Sequence, residues 1–131
     1  MSIGAVKAVE IGEGIGAASL NGSTDNDGFL SKDGEVIKTS NHAGGIMGGI
    51  SDGSEIILRA AVKPTSSISQ PQQTITQTHE NISLLVKGRH DPVIVPRAVV
   101  VVESMCALTL VDALFSNMSA RMDHIRSFYK R

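Results

Sequence analysis

The chain has 131 residues, 12 basic and 13 acidic groups for a net charge of −1, 41% hydrophobic residues, 13 glycines and one cysteine. This length fits one domain, the lone Cys106 rules out a disulfide framework or a cysteine-based zinc site, and a hydrophobic content sufficient for a core argues against wholesale disorder. Near-neutral charge with only four aromatics (Phe29, Phe115, Phe128, Tyr129) argues against nucleic-acid binding, which draws on a basic field and stacking rings.

Taken in order, Met1 to Gly16 carries Lys7, Glu10 and Glu13 and so lacks the apolar run of a signal peptide. Ala5 to Ile11, rich in Ala and Val, predicts a strand. Gly12 to Ala18 is broken by glycines, and Asn21 to Gly28 (NGSTDNDG) is a dense turn signal that belongs on the surface. Glu35 to Thr39 predicts a short strand. Ala43 to Gly53 (AGGIMGGISDG) holds five glycines in eleven residues, and Glu55 to Lys63 predicts another strand. Pro64 to Gln73 reads as a loop, Thr74 to Lys87 as one or two strands, and Gly88 to Pro96 as a loop carrying Arg89, His90 and Asp91.

The rest predicts one long helix, about Pro96 to Met118, with proline in the first turn where a missing N–H costs nothing. Glu103 and Asp112 fall on opposite faces at about 100° per residue, so no polar stripe exists. A helix apolar nearly all round is expected to be buried on every side. Its apolar core, Ala98 to Phe115, has the length of a bilayer span, but each of those acids would cost roughly 2.5–3.5 kcal/mol at membrane depth. The expectation is a soluble, cytoplasmic protein without membrane partner, with a reduced Cys106 and a flexible, basic tail over 119–131. No internal repeat is visible.

Three motifs are weighed and set aside. Gly12 to Ala17 fits the dinucleotide fingerprint G-x-G-x-x-G/A after a strand, but Asn21-Gly22 ends any helix that would present its N-terminus to a pyrophosphate. Gly49 to Gly53 fits G-x-S-x-G, yet a strand rather than a helix follows, against a nucleophile elbow at Ser51. His42, His79, His90 and His124 show no ligand spacing, and no metal is expected.

What remains is a set of three segments suited to an anion: Asn41 to Ser51, Lys63-Pro64-Thr65-Ser66-Ser67, and Gly88 to Pro92. Glycines permit close backbone approach, Lys63 is a point charge, the three hydroxyls donate, and Arg89 presents a planar fork to phosphate or carboxylate. Alone, the second segment reads equally as a capped turn, and Asp91-Pro92 as a helix N-cap with proline at the first position.

These segments, together with Ala5 to Gly12, Ile68, Arg97-Ala98-Val99, Glu103 and Met105, resemble chorismate synthase from Met1 to about Leu114. The resemblance implies an α+β fold in which helices are sandwiched between antiparallel sheets, with 1–131 a single, partial domain. It implies a 1,4-elimination converting 5-enolpyruvylshikimate 3-phosphate to chorismate and phosphate with reduced FMN (FMNH2), NADPH being a candidate source of its electrons, in a homotetramer. By carry-over, Gly4, Ala5, Gly48, Lys63, Pro64, Thr65, Ser66, Ser67 and Arg89 contact the flavin. Arg89 also faces the substrate, and Asp91 is the catalytic carboxylate near the flavin N5.

The family usually has Phe at Ile15 and Pro at Val100, differences that bear on packing. Met1-Ser2-Ile3-Gly4 matches an interior stretch of the family, and only the last third or so of its length is matched. The family's two catalytic histidines, several substrate-binding arginines and a serine-containing loop lie upstream of that match. His42 and His90 match other positions, and neither Arg59 nor Arg97 is taken to replace the missing arginines. The expectation is therefore a segment inactive alone; the alternative is a non-catalytic flavin- or partner-binding module that assembles with itself.

Overall fold

A computed structural model describes residues Met1–Lys130 and shows two compact units, Met1–Lys63 and Pro64 onward. Helices mix with four separate two-stranded antiparallel sheets, an α+β composition.

In the first unit, β1 (Val6–Ile11) pairs antiparallel with β6 (Leu58–Val62), with an irregularity between Val6 and Ala8. Val6, 6% exposed, is the one buried large apolar side chain among the described residues. A short 3-10 turn (Gly14–Ser19) and a single helical turn, α1 (Gly22–Asp25), follow β1. The Asn21–Gly28 stretch is thus not all loop: the Thr24 hydroxyl accepts from the Asn21 amide at 3.1 Å and donates to its carbonyl at 2.9 Å, closing one turn. Next comes a hairpin of β2 (Phe29–Lys32) and β3 (Glu35–Lys38). Its two-residue turn, Asp33-Gly34, has φ of 55° and 83°, the geometry an Asp-Gly pair favours in hairpins. β4 (Ile46–Met47) and β5 (Ile50–Ser51) form a second small hairpin.

In the second unit, β7 (Gln72–Ile75) pairs with β8 (Asn81–Leu84), followed by a loop and α2 (Val95–Ser119). The helix matches its expected bounds and has Pro96 in its first turn, but not its expected burial. No residue of α2 is buried, and Val100, Leu108, Leu114 and Phe115 are each more than half exposed. The expectation of burial on every side is corrected for this chain. The reason is architectural: among the described residues of this unit a two-stranded hairpin and one short helix accompany α2, and no layer covers it. By length and composition alone α2 could also cross a membrane.

The stretch read as a basic tail contains a further helix, α3 (Met122–Tyr129); Arg131 lies outside the described residues. Phe115 and Met118 of α2, with His124, Ile125, Phe128 and Tyr129 around α3, line an open groove of about 600 Å3.

Candidate functional site

The glycine-rich segment is organised from below by charge. The Asp27 carboxylate, its side chain 3% exposed, accepts from the Ser40 hydroxyl at 2.7 Å, the His42 amide at 2.8 Å, the Ala43 amide at 3.1 Å and the Lys38 ammonium at 3.1 Å. Lys38 also reaches Asp52 at 2.8 Å and Asn41 at 3.3 Å. Asn41 in turn accepts from the Gly45 amide at 2.9 Å and donates to the Glu55 carbonyl at 2.8 Å. The segment that carries β4 and β5 is therefore pinned at its entry and at its exit.

Burial by itself would raise the Asp27 carboxyl. The Ser40 hydroxyl, the Ala43 and His42 amides and Lys38 outweigh it and hold Asp27 well below the usual carboxylate range. The hydrogen bond from Lys38, then that from the Ser54 amide, lowers Asp52 to about 2. Lys38 is raised, chiefly by its bond to Asp52 and against the cost of burial.

The glycines divide into two groups. A Cβ on Gly12 would stand 2.0 Å from the His42 carbonyl oxygen, and one on Gly44 would stand 2.3 Å from the Gly12 nitrogen. Gly45 likewise faces the Glu55 carbonyl oxygen at 2.6 Å. These three serve backbone-on-backbone contact within the chain rather than approach to a ligand. Gly48 and Gly49 differ: they form the two-residue turn between β4 and β5, with φ of 58° and 80°, and a Cβ on either would meet nothing within 4 Å. Of the glycines in this segment, the expected ligand residue Gly48 is one that stays open.

Gly4 and Ala5 form the centre of a turn closed by the Val6 amide on the Ile3 carbonyl at 3.2 Å. Ala5 has φ of 66°; the other two non-glycine residues with positive φ, Asp33 and His79, sit in hairpin turns. Left-handed backbone at an alanine costs roughly 1–2 kcal/mol, and the Ala5 carbonyl accepts from the Lys63 amide at 2.7 Å. Two of the expected ligand positions, Ala5 and Lys63, are thus joined at one end of the β1–β6 ladder.

The second unit brings together the other two sequence segments. The Thr65 hydroxyl donates to the Asp91 backbone carbonyl at 3.2 Å, and Ser67 Oγ lies 2.9 Å from His90 Nδ1. His90 Nε2 faces the Val86 carbonyl at 3.1 Å, and Gln72 donates to the Ser66 carbonyl at 2.9 Å. Two loops 23–26 residues apart are stitched edge to edge. Asp91 is not a helix N-cap, since α2 begins at Val95; its carboxylate instead pairs with Arg97 at 3.0 Å. Among the described residues neither Lys63 nor Arg89 enters an ion pair, so both cations are free to meet an anion.

Sequence reasoning missed the Asp27–Lys38–Asp52 network and the Asp91–Arg97 pair, because no spacing rule links residues 11–25 apart or flags one aspartate among several. Two of the three motifs set aside take other forms. Gly14–Ser19 is a 3-10 turn with no α-helix on it beyond the four residues of α1, and Ser51 lies in a strand, not at a strand-to-helix turn.

Comparison with known proteins gives a consistent result. The family model described as chorismate synthase matches residues 1–115. The chain is 61% identical over 131 residues to a chorismate synthase of Lachnospira eligens, covering 100% of this chain and 36% of that protein. It is 58% identical to that of Agathobacter rectalis over the same length and coverage. It is 57% identical over 113 residues to that of Methanococcoides burtonii, covering 86% of this chain and 31% of that protein. The chain thus spans about a third of the length of these relatives. A solved structure titled "Crystal Structure of Chorismate Synthase" aligns with a TM-score of 0.46 and 45% identity, over 49% of this chain and 20% of that one.

Proposed function

The chain belongs to the chorismate synthase family, and from that premise we propose that it forms the flavin-facing part of such an enzyme. The activity is the 1,4-elimination of phosphate from 5-enolpyruvylshikimate 3-phosphate to give chorismate. The observation that supports this reading is the stitching of Thr65 to the Asp91 backbone carbonyl and of Ser67 to the His90 ring, which sets the hydroxyl-bearing loop beside the segment that carries Arg89 and Asp91. That donor set suits a phosphate-bearing cofactor: hydroxyls and cations for the phosphate, an acid for a ring nitrogen.

In this reading Lys63, Pro64, Thr65, Ser66, Ser67 and Arg89 hold FMN, with Gly4, Ala5 and Gly48 supplying backbone against it. Arg89 also receives the substrate's anionic groups. Reduced FMN, when bound, lends electron density to the departing allylic phosphate and recovers it, so no net redox change results. Asp91 assists proton removal near the flavin N5, with Arg97 keeping its carboxylate in place. The sandwich of helices between sheets, the homotetramer, the cytoplasmic location and NADPH as a source of reduced flavin belong to the same proposal.

The bare α2 supports the further reading that the 131 residues fold fully and turn over substrate only when more of the enzyme covers that helix. Anaerobic titration with reduced FMN is expected to show weak binding, abolished by Arg89→Met, and no chorismate release. Adding the remaining two thirds of a close relative as a separate chain is expected to restore turnover. Flavin affinity untouched by Arg89→Met, or turnover by the 131 residues alone, overturns the assignment. The exposed helix also favours one alternative, a non-catalytic flavin- or partner-binding module. Flavin binding without any rescue of turnover selects it.

A further inference from the structure

We propose that His90 couples anion binding at Ser67 to its own protonation, so that the Thr65–Ser67 loop takes an oxyanion most tightly when His90 is charged. This rests on the reading of that loop as a phosphate site and names a positioning residue within it.

The ring is held at both nitrogens, by Ser67 Oγ at Nδ1 and by the Val86 carbonyl at Nε2. A carbonyl oxygen only accepts, so Nε2 carries a hydrogen. In the neutral ring Nδ1 is then a bare lone pair, and it accepts the Ser67 O–H. Ser67 thereby commits its single hydrogen to the ring and turns only lone pairs outward, which repel a phosphate oxygen. Taking one proton from solvent at Nδ1 reverses the bond. The new N–H donates to Ser67 Oγ, the hydroxyl hydrogen is released toward a ligand, and the ring gains a positive charge. No other bond forms or breaks. Both consequences favour an anion at Ser67, and by linkage an anion there favours the protonated ring.

The facing loop, Pro64 to Pro71, carries no ionisable side chain. On its own segment stand Lys87, Arg89 and Asp91, and from α2 comes Arg97, already paired with Asp91. The β7–β8 turn adds His79 and Glu80.

The test is NMR titration of the His90 ring in the 131-residue chain, alone and with FMN or sulfate; sulfate keeps its charge across the range, so any pH dependence belongs to the protein. Both anions are expected to raise the pH at which His90 titrates. Sulfate affinity should fall on the order of tenfold between pH 5.5 and 7.5. Ser67→Ala and His90→Gln should each flatten that dependence, whereas His79→Gln should not. If FMN binds while neither anion moves the His90 titration, the proposal falls and the flavin site stands. If FMN does not bind but sulfate shifts His90, the flavin assignment falls and the coupling stands. A neutral ring carrying its hydrogen on Nδ1, or no shift with either anion, overturns the proposal outright.

Discussion

The two units of this chain solve the same problem in opposite ways. Met1–Lys63 has little apolar core, yet most of its covered polar groups bind one another, with Asp25 Oδ1 covered and without a partner among the described residues. The covered Asp27 side chain is surrounded by four donors, Lys38 bridges two carboxylates, and glycine backbones cross at contact distance. The unit from Pro64 onward has ample apolar surface and nowhere to bury it, because α2 is exposed along its length. A polar network closes over short range and needs no second layer; an all-apolar helix needs neighbours on every side. The first kind of unit keeps its local geometry in a short chain, and the second depends on what packs against it.

The sharpest way to break this contrast is at the glycine crossing. Gly44→Ala places a Cβ about on top of the Gly12 backbone at φ of 64°, and the clash and strain are expected to cost roughly 2–4 kcal/mol. Amide exchange along β1 and β6 should become fast while α2 helicity persists. Coupled loss of α2 would show that the units are not separately stabilised.

Next in size is the exposed helix. Apolar surface of this extent drives association, so the 131-residue chain is expected to sediment as oligomers. Leu108→Glu with Leu114→Lys should weaken that association at least tenfold, as roughly 1.5–3 kcal/mol of burial is lost per leucine. A wild-type monomer at micromolar concentration would refute it.

A smaller effect separates the units by pH. Asp27 and Asp52 have lowered pKa values, so their stabilisation is complete above the unfolded value of 3.8 and is lost as pH falls toward 2. Lys38 is raised, so its contribution is complete below 10.5 and is lost above it. Exchange at the His42, Ala43 and Gly45 amides should stay slow near pH 5 and quicken toward pH 2. Asp27→Asn should show that quickening already at pH 5; protection unchanged by the substitution would remove Asp27 from its organising role. Smallest is Arg97→Gln at an ion pair whose arginine is 78% exposed: exposed pairs contribute little, so thermal unfolding should stay at the wild-type temperature. A clear drop would mean that the pair is structural.

Much of this was legible along the chain. β1, β3, β6 and α2 appear where Ala/Val content, β-branched runs and Pro96 place them, because those signals are local. The Asp33-Gly34 turn is an Asp-Gly hairpin signal that stands beside the denser one at Asn21–Gly28, and β2, which pairs across it, lies outside the expected strands. The glycine-rich segment was read as a ligand cradle, but Gly12, Gly44 and Gly45 are occupied by the chain's own backbone. A glycine that admits a ligand and one that admits a neighbouring strand look identical in sequence.

The amino-acid order by itself determined the Asp33-Gly34 and Gly48-Gly49 turns, the extent of α2 and its lack of a polar face, and the segments that carry the family resemblance. These depend on residue type and near neighbours. Tertiary structure alone decided that Asp27 is the carboxylate ringed by donors, that Ser67 faces His90, that Asp91 pairs with Arg97 and that α2 lies bare. Each of those depends on which distant segments the chain brings alongside, or fails to bring, and contact between segments far apart in sequence leaves no periodicity to read.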